Sequence, residues 1–122
     1  MIVYCCSDLI FATKVSSTCE VMNVSARPAR NLDMLDARLD RVDDGKDHDA
    51  VTCVMVDLEL GDFAFELIKR AADHESKPRV IAFGPHVMTG ALAGAERVGA
   101  DAVMARGAFT AQLPELVAQY GS

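Results

Sequence analysis

Apolar residues fall into short continuous runs separated by stretches where they recur every three or four positions. These are the two signatures of buried strands and one-sided helices. Ile2-Val-Tyr-Cys-Cys6 is the first predicted strand, and Ser7 or Asp8 is placed to cap the helix after it. Leu9, Ala12, Val15 and Cys19 form that helix's predicted buried stripe. A second strand is expected over residues 21–26, closed by Arg27-Pro28. Leu32, Leu35, Leu39 and Val42 mark the next helix, with Asp33, Asp36, Arg38, Asp40 and Arg41 on its outer face. The polar stretch Asp43-Asp-Gly-Lys-Asp-His-Asp49 predicts a solvated loop; its acids and His48 imitate a metal site, but a charged helix-to-strand connection accounts for them.

The run Val51-Thr-Cys-Val-Met-Val-Asp57 predicts a strand buried on both faces, as in a parallel sheet, with a carboxylate at its C-terminal end. Gly61-Asp62 then opens a helix with Phe63, Leu67 and Ile68 inward, and Pro78 ends the next connection. Arg79–Phe83 is the fourth strand, stopped by Gly84-Pro85. A small-residue helix over Thr89–Val98 ends at Gly99, and Ala102–Ala105 is the fifth strand. The last helix is expected to start near Thr110, with Pro114 tolerable only if it falls in the first turn. Strict alternation predicts one α/β domain over residues 1–122, a parallel sheet with helices on both faces. Four connections then gather at one sheet edge: Ser7-Asp8, residues 57–61, residues 84–88, and Arg106-Gly107.

Composition narrows the chemistry. At 122 residues with 51% hydrophobic and 25% charged residues, the chain suits one globular core. A net charge of -6 argues against duplex nucleic acid as a partner, since phosphate binding needs a basic face. No stretch is long and apolar enough to span a membrane, and Met1–Cys6 lacks a cationic leader, so the expected location is cytoplasmic. Cys5, Cys6, Cys19 and Cys53 lack metal-ligand spacing and read as reduced, mostly buried thiols. Gly-rich nucleotide-binding motifs are missing. One enzyme-class alternative remains, a thiol-dependent phosphoryl carrier using Cys5 or Cys6 activated at a helix N-terminus. The apolar Leu9-Ile-Phe-Ala and the lack of Arg from Ser7 to Thr13 weigh against it.

Asp57 ending the third strand, Gly84 after the fourth, and Gly99-Ala-Asp-Ala-Val-Met-Ala-Arg106 through the fifth together resemble a bacterial response-regulator receiver domain. The resemblance covers nearly the whole chain. It implies a flavodoxin-like three-layer sandwich with a five-stranded parallel sheet in the order 2-1-3-4-5. It implies a place in two-component signalling or phosphorelay, with a histidine kinase or another regulator as partner. In the family an Asp accepts a phosphoryl group, magnesium is held by an acidic pair, a Ser or Thr hydroxyl reads the new group, and a Lys contacts it.

Here the acidic pair is reduced to Ser7-Asp8, the hydroxyl position falls on Gly84 before Pro85, Arg106-Gly107 replaces Lys-Pro, and the strand-five aromatic position is Val103. These departures predict a degenerate pseudo-receiver that is not an enzyme and acts by protein–protein interaction. Asp57 would be a structural carboxylate, hydrogen-bonded or paired with Arg106, and magnesium would find at most a weak site on Asp8 and Asp57. The alternative is an atypical receiver that still phosphorylates Asp57. A face made by helix four, strand five and helix five, with Ala91, Ala95, Met104 and Phe109, would serve a partner or a homodimer. His86 falls at the functional edge and is assigned no role.

Overall fold

In the computed structural model, which describes residues 1–41 and 49–121, the run Cys53–Asp57 is the central strand β3, with all five residues buried. Around it lie β1 (Ile2–Cys5), β2 (Ala26–Pro28), β4 (Arg79–Gly84) and β5 (Ala102–Ala105). All pairings are parallel, and the sheet order is β2-β1-β3-β4-β5. Alternation along the strands divides the core in two. Val3, Cys5, Val54, Val56, Val80 and Ala82 face one side, against Leu35, Leu39, Leu67 and Ile68. Ile2, Cys53, Met55, Ile81 and Phe83 face the other, against Phe11, Val15, Phe109 and Val117. The predicted Val42 stripe end and the 43–48 loop with His48 lie outside the described residues.

Helix α1 (Leu9–Val21) starts where Asp8 Oδ1 accepts the Phe11 N–H at 2.9 Å. Its buried stripe is Phe11, Val15 and Cys19; Val15 and Cys19 lie where predicted, but Phe11 takes the place of Leu9, which is 82% exposed. With Asp8 as the cap, Leu9 points about 120° around the helix from the centre of that stripe. The second strand also begins later than expected, because α1 continues through Val21. Asn23, with φ at 58°, turns the chain in the left-handed region while Val24 N–H bonds the Cys19 carbonyl at 2.8 Å. Pro28 ends β2 at the sheet edge, where a missing N–H costs little. Its carbonyl accepts from Nε and Nη2 of Arg38.

Helix α2 (Leu32–Asp40) is capped by Asn31 and buries Leu35 and Leu39. After a 3-10 turn at Leu58–Leu60, α3 (Asp62–Asp73) buries Ala64, Leu67, Ile68 and Ala71, with Phe63 half-buried beside them. Helix α4 spans Thr89–Arg97. Helix α5 runs Arg106–Tyr120, four residues earlier than predicted, so Pro114 lies inside it. The helix persists because Phe109, Leu113, Leu116 and Val117 anchor one side, while Pro114 is exposed where water can meet the freed carbonyl. Ala95 and Phe109, expected on a docking face, are instead core residues with 0% exposure.

Candidate functional site

Strand β3 ends at Asp57, which has 0% exposure and stands alone as a buried charged or polar residue among the described residues. A carboxylate taken out of water must find donors nearby. Ser7, just past β1, supplies two, its N–H at 3.0 Å and its hydroxyl at 2.6 Å, both to Oδ2. The Glu59 N–H donates to Oδ1 at 3.0 Å, so Asp57 also caps the 3-10 turn that follows it. Both oxygens are thereby engaged with parts of the chain that adjoin β1 and β3. The predicted pairing of Asp57 with Arg106 is not what forms.

Arg106 pairs with Glu59 instead, and its guanidinium lies over the Phe11 ring, 4.4 Å from the centroid. Phe11 stacks on Phe83, and Phe83 on Phe109, with centroids 5.4 and 4.0 Å apart. A column of rings therefore runs from the crevice into the core between the sheet, α1 and α5. Arg106 opens α5 and Glu59 lies in the turn after β3, so the pair ties these two connections together. The pair was missed because Glu59 reads as an ordinary polar position in Leu58-Glu-Leu60. Its signal was its distance from Asp57: two residues on, at the start of a tight turn, it returns to the same edge.

Gly84 ends β4 at the same edge, and a Cβ there would lie 3.1 Å from Leu58 Cβ. Leu58, 1% exposed, fills the space into which a hydroxyl-bearing side chain would project. Val103, at the expected aromatic position, is half-buried against the other core cluster. His86 is exposed. Beside the crevice, a cavity of about 320 Å³ is lined by Tyr4, Cys6, Ser7, Asp8 and Arg30 among others.

The thiols do not suit nucleophilic chemistry. Burial pushes Cys5 up to about 12, with Cys6 nearby adding to it. Burial also pushes Cys6 to about 12, reinforced by the charges of Asp57 and Asp8. At neutral pH both thiols are therefore held in the protonated, unreactive form. Magnesium fares no better. No group of three or more His, Cys, Asp or Glu that could hold a metal exists among the described residues. Asp8 lends an oxygen to its helix, and the neutral Ser7 hydroxyl bonds Asp57 where a second carboxylate would be needed. These residues do not fit a hard divalent cation.

No protein-family model matches the sequence, and no curated protein matches it. Solved structures do resemble it. A response regulator from Thermotoga maritima aligns over 98% of this chain and 95% of its own, at 18% identity and a TM-score of 0.73. The receiver domain of NtrX from Brucella abortus aligns over 98% and 95%, at 17% identity and a TM-score of 0.74. A response regulator protein from Burkholderia pseudomallei, solved with a phosphorylated aspartic acid, calcium ion and citrate, aligns over 97% and 71%, at 20% identity and a TM-score of 0.68. The chain has the flavodoxin-like fold of response-regulator receiver domains, in the strand order that the resemblance implied.

Proposed function

We propose that this chain is a receiver-like signalling module that works through protein–protein contact, with Asp57 as a fixed structural carboxylate and not a phosphoryl acceptor. The observation that carries this is the engagement of Asp57: no exposure, two bonds from Ser7 and one from Glu59. An attacking carboxylate oxygen must be reachable by the donor, which an Asp57 with no exposure is not, and needs metal to offset the developing charge. Here the hydroxyl of Ser7 takes the place of a metal-binding carboxylate, and Gly84 offers no hydroxyl for readout. A histidine kinase or another regulator is the expected class of partner, and a location in the cytoplasm goes with it. No helix among the described residues is long and apolar enough to cross a membrane. On the face made by α4, β5 and α5, a partner or second copy would meet half-buried Ala91 and Met104, while Ala95 and Phe109 stay in the core.

Intact-protein mass after incubation with acetyl phosphate and magnesium tests this, beside Asp57→Ala and a Cys5/Cys6 double replacement. The expected result is no adduct under conditions that label an ordinary receiver. A single phosphoryl adduct lost only in Asp57→Ala would make the chain a working atypical receiver. One lost only in the cysteine variant would restore the phosphocysteine reading.

A further inference from the structure

The cavity of about 320 Å³ beside the crevice lies between the start of α1 and the end of β2. Leu9, Ala12 and Pro28 give it apolar lining, and Tyr4 and Cys6, on and just after β1, line it from the sheet. Its volume falls at the small end of the range for ligand sites, which suits one small ring compound. Its frame is fixed from both sides. Asp8 caps α1 through the Phe11 N–H, and the Pro28 carbonyl is held by Arg38. The Ala29 N–H donates to the Tyr4 carbonyl at 3.0 Å, and Asn31 caps α2. Both chain neighbours of Arg30 are thus anchored, so a ligand meets a site already formed.

Two groups in this cavity lack a partner inside the chain. Leu9 is a large apolar side chain with 82% exposure. Arg30 is an exposed cation that makes no ion pair or hydrogen bond among the described residues. In a chain with 18 acids against 12 Lys and Arg, the cations Arg70, Arg79 and Arg106 each find a carboxylate, while Arg30 keeps its fork open. Asp8 lines the same cavity without pairing to Arg30, and its charge opposes a second negative charge on any ligand.

We propose that this cavity binds a small monocarboxylate with an apolar body. Its carboxylate takes two parallel N–H bonds from the Arg30 guanidinium, and its body packs on Leu9, Ala12 and Pro28. The cavity adjoins Ser7, which holds Asp57, but its ligand needs neither a phosphoryl group nor a metal. The site therefore stands whether or not Asp57 is phosphorylated.

The test titrates the ¹⁵N-labelled chain with benzoate at constant ionic strength and follows the amides of Leu9, Ala12 and Arg30. Saturable shifts confined to the start of α1 and the connection from β2 to α2 are expected. Benzamide keeps the ring and loses the charge; acetate keeps the charge and loses the ring. Each should bind at least about tenfold more weakly than benzoate. Arg30→Gln should cost at least about tenfold in benzoate affinity, and Leu9→Ser at least about threefold. Both positions are exposed, so neither substitution disturbs the core. No saturation by about 10 mM benzoate would overturn the proposal. So would unchanged affinity in Arg30→Gln, or benzamide or acetate binding as well as benzoate.

Discussion

Replacing Ser7 by Ala would delete the 2.6 Å hydroxyl bond to Asp57 and leave a buried carboxylate with one fewer donor. Hydrogen bonds to charged groups contribute about 1.5–3 kcal/mol, so Ser7→Ala should lower urea stability by about that much. A change near zero would mean that the hydroxyl contributes nothing to holding Asp57. The buried thiols give a second handle on this scale. Cys5 and Cys53 are both held at about 12 by burial, well above an unfolded thiol near 8.5. Between those values the folded chain holds a proton that the unfolded chain has lost, so stability is intact below about pH 8.5 and falls as pH rises toward 12. Each such thiol should steepen the alkaline loss by about 1.4 kcal/mol per pH unit, and Cys53→Ala should flatten it in chemical denaturation at pH 9 to 11. At this scale the sequence showed Asp57, Asp8 and Gly84 plainly, since each ends or begins an element. The partners Ser7 and Glu59 needed coordinates, because a hydrogen bond across two connections leaves no periodic trace.

Among the elements, α4 is the least gripped, with Gly90 and Gly94 in a nine-residue helix that buries Ala95 alone. The two glycines differ in kind. A Cβ on Gly90 meets nothing within 4 Å, whereas one on Gly94 would lie 3.2 Å from the Phe65 ring. Gly90→Ala should therefore stabilise the chain by about 0.5–1 kcal/mol, the usual helix gain, while Gly94→Ala should gain less or lose. Urea midpoints for the two variants check this, and equal gains would show that Phe65 does not constrain the helix. The boundaries of α4, β4 and β5 were legible because glycine and proline punctuate them. Those of β2 and α5 were not. Val21 suits a helix or a strand equally, and the left-handed turn at Asn23 settles which. Pro114 argues for a late helix start, but the packing of Phe109 and Leu113 carries the helix back to Arg106.

Over the whole molecule, the alternation of strands and helices was enough to give a parallel sheet, and the receiver resemblance supplied its strand order. What each face of the sheet contains then follows from the pleat. The column Arg106, Phe11, Phe83 and Phe109 is a product of that arrangement alone, since its members come from α1, β4 and α5. It links the crevice to the packed core. A working receiver moves between two states, with the populations shifted by a phosphoryl group. The central claim is thus that this crevice does not switch. Its most direct test is the ¹H–¹⁵N spectrum of the chain with beryllium fluoride and magnesium, a stable stand-in for an aspartyl phosphate. The account predicts that the Ser7 and Glu59 amides, which donate to Asp57, stay where they are, and that α4 and β5 show no change. Displacement of those two amides together with α4 and β5 would contradict it and show a switch still at work.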